Sequence, residues 1–482
     1  MNRVFDTKVQ ELKYQVLKEV IRRAYEGDLT TAIYEIPRVI VPGPKSDMRC
    51  CIYKERAVLE ERVKLAMGGD KDNPNVIETL PIACDECPID RYFVTPACRG
   101  CINHKCMEVC PAGAISIRNM HAEIDPDKCR HCGLCAKACP YHAILELTRP
   151  CVTSCKIGAI KIDDEGKAVI DNDKCVMCGA CAYSCPFGAI ADKSYVLDLV
   201  DILKESAASG RKVYALIAPS IVSQFKYAKI EQIVEGIKEL GFHNVIETAL
   251  GADITLHKDT EEFKKKGRLT TSCCPSFVMY IEKHFPKLVP YISDAPSPMV
   301  EAARLIKRTS PDAKVVFIGP CSSKKHEFRL EKTEGAVDCV ISFEELQAFL
   351  DARGIDVSAL PEHPLNNASK WGRLFAKSGG ICEGVKNLAA KEGLEVCPLA
   401  VSGLEQIKMA MLKMNAGKLP ENFIEGMACV GGCLNGALTL NHGDKNVRDV
   451  DKYGAEAKET EIDGSLALYR MTGGEEADAK EE

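Results

Sequence analysis

Cys129-Arg130-His131-Cys132-Gly133-Leu134-Cys135-Ala136-Lys137-Ala138-Cys139-Pro140 decides how most of this chain is read. Its cysteines are spaced C-x2-C-x2-C-x3-C and closed by proline, and Cys175, Cys178, Cys181, Cys185 and Pro186 repeat the pattern. Three thiolates on one tight loop can cap three irons of a cubane. The fourth, past a turn of helix, faces away toward a second cubane. The chain has 26 cysteines, 16 of them between Cys84 and Cys185. Without an apolar leader in residues 1–6, such clustering points to metal ligation rather than disulfides. Many thiolates and few candidate histidines place iron–sulfur clusters before zinc.

Partial copies of the run lie on either side. Cys98, Cys101, Cys106, Cys110 and Pro111 carry a longer spacer, and Cys151 and Cys155 keep only the last two positions. Gly158-Ala159-Ile160 matches Gly113-Ala114-Ile115 and Gly188-Ala189-Ile190 in register. The spacing is that of bacterial ferredoxins, in which the fourth cysteine serves the neighbouring cluster. One [4Fe–4S] cluster is then assigned Cys98, Cys101, Cys106 and Cys139, a second Cys129, Cys132, Cys135 and Cys110, and a third Cys175, Cys178, Cys181 and Cys155. Elimination leaves Cys84, Cys87, Cys151 and Cys185 for a fourth. A zinc site from Cys84, Cys87, Cys98 and Cys101 is the alternative, two C-x2-C pairs ten residues apart. Four clusters exceed what stapling this stretch requires, which favours a chain of electron stations.

Working outward, residues 1–80 read as a helical segment. Val9, Leu12, Val16, Val20 and Ala24 form one apolar stripe, and a second helix is expected over 54–67. Cys50 and Cys51 fall between the two as unligated thiols in a packed turn. Residues 81–195 form the ferredoxin-like domain. Over 196–472, helix-like runs (196–208, 229–240, 275–285) alternate with strand-like runs (213–218, 244–248, 268–272, 314–318), which predicts an α/β domain. The fold class expected is α+β and α/β, multidomain. Residues 473–482 read as an acidic disordered tail. The formal charge of -6 gives no nucleic-acid footprint, and no apolar run is long enough for a membrane span. A cytoplasmic location is expected.

Three further segments fall at expected strand ends, where α/β sheets gather ligands. They are Thr271-Ser272-Cys273-Cys274-Pro275, Gly319-Pro320-Cys321-Ser322-Ser323-Lys324-Lys325-His326-Glu327, and Met427-Ala428-Cys429-Val430-Gly431-Gly432-Cys433-Leu434-Asn435-Gly436. In this order, behind a ferredoxin array, they resemble the three signatures of the [FeFe]-hydrogenases, the bacterial monomeric multi-cluster branch best of all. The resemblance implies a two-lobed H-cluster domain. It implies Cys274, Cys321, Cys429 and Cys433 as ligands of a fifth cube, with Cys433 bridging to a diiron unit that bears CO, cyanide and a dithiolate. Lys324, and the loop at Pro219 and Ser220, would face the cyanides, with Met299 and Met427 beside the diiron unit. Cys273 would pass protons, with Ser293 and Glu327 as polar members of the site and Glu261 as the outer carboxylate. Lys258 stands where the inner carboxylate is expected.

Several positions depart from the family pattern: Gly319 for methionine, Phe277 for tryptophan, Met299 for glutamine, Val430 for proline or histidine, and Ala437 for glycine. Such changes retune potential and reactivity. The function implied is a ferredoxin hydrogenase, interconverting protons and H2. Its expected partners are ferredoxin or a similar small electron carrier, and maturation proteins for the diiron unit. Alternatives are an H2-sensing relative of low turnover and a non-catalytic Narf-like iron–sulfur protein. Cys339, Cys382 and Cys397 read as buried free thiols, and Gly379-Gly380 as a turn.

Overall fold

The computed structural model describes residues 5–46, 48–88 and 91–474. Of the acidic end, residues 475–482 lie outside the described residues.

The cysteine-rich region is two ferredoxin-like units, one inserted into the other. Strand Tyr92–Val94 pairs antiparallel with Ile144–Glu146 and closes an inner unit around the hairpin of Ile115–Arg118 and His121–Ile124. Strand Ile77–Thr79 pairs with Ile190–Asp192 and closes an outer unit around the hairpin of Ile160–Ile162 and Ala168–Ile170. The outer unit therefore starts before residue 81, and the whole inner unit lies between Cys87 and Cys151. This nesting separates the two halves of the split cysteine set.

The sequence repeat has a local cause. After the last cysteine of each run the chain turns back, and a backbone N–H donates to that Sγ: Ala114 to Cys110, Ala143 to Cys139, Ala159 to Cys155 and Ala189 to Cys185, at 3.2–3.4 Å. The turn needs a positive φ, which Gly113, Gly158 and Gly188 adopt freely. His142 takes the same conformation (φ 49°) at the fourth copy, Tyr141-His142-Ala143-Ile144.

Residues beyond 195 form two parallel sheets. In the first, Asn244–Glu247, Val213–Ile217, Lys314–Gly319 and Cys339–Ser342 lie in that order. In the second, Leu269–Thr270 and Pro398–Ser402 flank Phe423–Met427. Continuous runs such as Val315-Val316-Phe317-Ile318 are buried, as parallel strands covered on both faces must be. Helix Thr248–Lys266 leads from the first sheet to the second and packs on helix Pro298–Thr309.

The N-terminal segment is not a separate body. Helix Lys8–Glu26, ended by Gly27 in the left-handed region, buries Leu12, Val16, Leu17, Val20 and Ile21 in the core that holds Phe343 and Phe349. At this joint Lys325, fully buried, ion-pairs with Asp192 and Glu345, both at 2.8 Å. Lys13 pairs with Asp192 and Glu344 alongside. Burial alone would lower the Lys325 pKa, but the carboxylates carry it upward. Removing one partner of a buried set leaves uncompensated charge. Lys325→Ala is expected to cost about 3–5 kcal/mol of unfolding free energy, measured by denaturant titration, and adding Glu345→Gln should recover part of the loss.

Candidate functional site

All four segments of interest leave the C-terminal ends of parallel strands, two from each sheet. Pro219 and Ser220 follow Val213–Ile217, and Cys321 follows Lys314–Gly319. Cys273 and Cys274 follow Leu269–Thr270, and Cys429 follows Phe423–Met427. The site thus lies between the lobes. Cys274 caps helix Pro275–His284, so the chain reverses between the two adjacent thiols. Cys274, Cys321, Cys429 and Cys433 are mutual electrostatic neighbours, and burial raises the pKa of Cys429 and Cys433, each further raised by the other thiols. Four clustered, half-buried thiols resist ionising unless a cationic group compensates them, which is the donor set a cluster requires. Gly431 and Gly432 take positive φ, and a Cβ on Gly432 would press on the backbone of 376–378. Residues 376–378, just before the Gly379-Gly380 pair read from sequence as a turn, are therefore a wall of the site: Cys433 N–H donates to the Ala376 carbonyl.

Cys273 is buried beside this group. Burial, then Cys274, Cys433 and Glu425, push its thiol well above the usual range, and Lys324 opposes them. Lys324 Nζ donates to Glu327 Oε2 at 2.6 Å, and Ser297 Oγ donates to the same oxygen at 3.1 Å. Ser220 Oγ is buried without a hydrogen-bond partner among the described residues. A buried, unanswered donor at a strand end fits a polar ligand there. Met299 and Met427 are buried, in different lobes. The departures at Gly319 and Phe277 have steric partners: a Cβ on Gly319 would meet the Phe317 ring, and one on Gly426 the Phe277 ring.

The carboxylates assigned from sequence are corrected. Glu261 points outward to Lys264 and Glu392's side of the surface, and Lys258 turns to Glu301 at 2.7 Å. The residues that meet Ser293 are Asp259 and Glu262: Ser293 Oγ lies within hydrogen-bond distance of both, 2.6 Å from Asp259 Oδ1 and 3.0 Å from Glu262 Oε2, with one hydroxyl proton to share between them. Helix register explains the error, since Asp259 continues the buried stripe of Ala252, Leu256 and Phe263. A carboxylate on an apolar stripe was the available signal. Burial raises Asp259 to about 7, Ser293 opposes this, and Glu262 and Glu301 add to it. Sequence reasoning also passed over Glu425, buried, which accepts from the backbone N–H of Gly379 and Cys382.

In the ferredoxin-like region two cavities match cysteine sets assigned above. Cys98, Cys101, Cys106 and Cys139 line one, and Cys110, Cys129, Cys132 and Cys135 the other. Cys175, Cys178, Cys181 and Cys155 are electrostatic neighbours, as are Cys84, Cys87, Cys151 and Cys185. Cys84 and Cys87 stand with Cys151 and Cys185, whereas Cys98 and Cys101 line a cavity with Cys106 and Cys139. The two outer sets are counterparts: the hairpin N–H of Ala122 donates to Cys98 and that of Ala168 to Cys84. Cys178 is also a neighbour of Cys274 and Cys429. Ser322 Oγ, next to Cys321, donates to the Met177 carbonyl at 2.8 Å and fastens the two regions there. Cys339 and Cys382 are buried free thiols, but Cys397 is exposed, as are Cys50 and Cys51.

Residues 211–437 match the family described as iron only hydrogenase large subunit, C-terminal domain. Residues 97–143 and 148–189 match the 4Fe-4S dicluster domain. A periplasmic [Fe] hydrogenase large subunit from Nitratidesulfovibrio vulgaris is 29% identical over 42% of this chain and 61% of its own length. Iron hydrogenase 1 from Clostridium pasteurianum is 29% identical over 69% of this chain and 67% of its own length. Cytosolic iron-sulfur assembly component 3 from Bos taurus is 30% identical over 43% and 57%. The match spans about three fifths of the first of these relatives.

Asp259, raised to about 7, holds its proton in the folded chain well above the usual carboxylate range. Its contribution to stability is therefore full at low pH and is lost as pH rises from about 4 through about 7. An infrared carboxylic-acid band is expected to titrate near pH 7 and to vanish in Asp259→Asn. That variant should also lose the fall in stability over the same window.

Proposed function

The chain is an [FeFe]-hydrogenase-like protein, and on that premise we propose that it catalyses the reversible reduction of protons to H2. The observation that carries this reading is the buried polar equipment beside the four clustered thiols. Cys273, the Lys324–Glu327–Ser297 set and the unanswered Ser220 hydroxyl serve no purpose for a cube alone. Cys274, Cys321, Cys429 and Cys433 would hold the cube, with Cys433 shared by the diiron unit. When bound, that unit supplies the metal centre at which protons and electrons combine.

The chain's own residues divide the remaining work. Lys324, held charged by Glu327, presents a compact donor into the cavity. Glu327 is itself fixed by Ser297, which keeps the pair in one orientation. Protons enter at Glu262, partly exposed at the helix edge, pass Ser293 and reach Asp259. Asp259 Oδ2, buried and without a hydrogen-bond partner among the described residues, is the inner end of this run. Cys273 then delivers the proton inside the cavity, and its burial keeps bulk water out. A carboxyl that titrates near neutrality suits such a relay, since it gives and takes a proton at little cost.

Four [4Fe–4S] clusters in the nested units would bring electrons singly from ferredoxin or a similar small carrier. Cys155, Cys175, Cys178 and Cys181 would hold the cluster nearest the site. The second reading is a cluster-holding protein without turnover, favoured by the similarity to the cytosolic iron–sulfur assembly component. Anaerobically matured protein is expected to show infrared bands of metal-bound CO and cyanide; their absence after maturation rejects the catalytic reading. Cys273→Ala should keep those bands and lose about 10²–10⁴-fold in H2 turnover with a reduced dye. Near-normal turnover would remove Cys273 from the proton route.

A further inference from the structure

Cys84, Cys87, Cys151 and Cys185 occupy in the outer unit the places that Cys98, Cys101, Cys106 and Cys139 occupy in the inner one. The surroundings of the two sets differ. The wall of the inner set is Ile117, Ala122, Ala143 and Ile144, with its basic side chains Arg99 and Lys105 at the surface. Around the outer set three buried arginines converge, each from a different segment. Arg62 is 7% exposed, Arg149 7%, and the Arg49 side chain 6%. Arg149 and Arg49 act electrostatically on Cys87, and Arg62 interacts with Cys185.

The hydrogen bonds of Arg62 and Arg149 go to carbonyls, which leave their charge unneutralised. Arg62 donates to the carbonyls of Phe187 and Gly188, and Arg149 to those of Pro88 and Gly166. Arg49 reaches the Ala83 carbonyl, lies over the Phe187 ring, and pairs with Asp85 at 3.4 Å and Glu86 at 3.8 Å, so its charge is the most offset of the three. Arg62 Nε is buried with no hydrogen-bond partner among the described residues, an unanswered donor beside Cys185. The packing is specific to this set. A Cβ on Gly188 would collide with the Arg62 guanidinium, whereas at the equivalent Gly113 and Gly158 the same space is open.

We infer that Arg49, Arg62 and Arg149 hold the cluster carried by Cys84, Cys87, Cys151 and Cys185 at a higher reduction potential than the other ferredoxin-type clusters, so that an electron rests there. The inference rests on the four-cluster reading proposed above. The step is one-electron reduction by the low-potential carrier that feeds the relay. No bond forms or breaks, no proton moves, and the cluster with its thiolates gains one negative charge. Fixed positive charge held close to the cluster stabilises the reduced form. The position in the chain suits a resting station. The chain leaves the outer unit after Cys87 and returns to it before Cys151, so two thiols of this set stand at the junction with the inner unit. An electron passing from the inner unit would meet this cluster at that junction.

The test is a redox titration of the full-length protein with all clusters in place, followed by electron paramagnetic resonance, with iron and sulfide counted first. One ferredoxin-type component is expected to reduce ahead of the rest. Arg62→Gln and Arg149→Gln should each lower its reduced-to-oxidised ratio about tenfold at a fixed poise, about 59 mV for one electron. The other components should stay in place, and Arg62→Lys should restore the wild-type ratio. The inference is overturned if that component is unmoved in both glutamine variants, if all components move together, or if Arg62→Lys behaves like Arg62→Gln. Should Arg62→Gln shed iron, Arg149→Gln and Arg49→Gln carry the same measurement. Shedding in all three assigns the arginines to holding the cluster and overturns tuning. A wild-type iron count below four ferredoxin-type clusters beyond the site cube sinks the four-cluster reading instead, before any potential is read.

Discussion

An ammonium group with no access to solvent needs its counter-charges in place before the chain around it can close. Lys325 is such a group, and its counter-charges come from elsewhere: Asp192 from the last strand of the outer ferredoxin-like unit, Glu345 from helix Phe343–Ala352. Lys13 of the N-terminal helix completes the set by bridging Asp192 and Glu344. In a low dielectric these charges are tolerable only together. The consequence is positional. Lys324, one residue away, lies beside Cys321 and Cys273, and Cys321 stands four residues before Lys325. A set that locks Lys325 to the ferredoxin-like region thereby fixes the site segment against the nearest cluster loop, where Ser322 meets Met177.

The rest of the site is arranged by the same economy of strand ends. Parallel strands deliver their following residues to one edge, so four segments distant in sequence meet without long loops. Close approach is bought by glycine and filled by aromatic rings: Phe317 takes the room beside Gly319, and Phe277 the room beside Gly426. These exchanges keep the walls dense where family signatures are altered.

What sequence made legible followed from short-range rules. The cysteine spacings, the Gly-Ala-Ile copies and the alternation of helix-like and strand-like runs each report on a few neighbouring residues, and the elements they predicted lie within a residue or two of the observed ones. What escaped was set by register and by distance along the chain. Asp259 and Glu261 are both acidic, and only the helix phase decides that Asp259 meets Ser293 while Glu261 meets Lys264. The part played by Glu425 depends on a helix start more than forty residues earlier, at Gly379. The union of the N-terminal helix with the first sheet's core has no local signature at all, since any amphipathic helix would look the same.

The nesting of one unit in another also sets an order of events. The inner unit has its own small core, Tyr92, Val94, Ile115, Ala122 and Ile144, and its closing strand pair is complete once Glu146 has been made. The outer unit cannot close until Ile190 to Asp192 exist to pair with Ile77–Thr79. Loop-closure entropy grows only slowly with length, by about 0.6 kcal/mol per doubling, so the long span costs little at equilibrium. In time it costs more. Cys84 and Cys87 are synthesised first and receive their partners Cys151 and Cys185 last. Throughout that interval the nearest thiols are Cys98 and Cys101, a pair with the spacing a single metal ion favours. Early folding of the inner unit, which gathers Cys98 and Cys101 with Cys106 and Cys139, would withdraw that pair from mis-ligation.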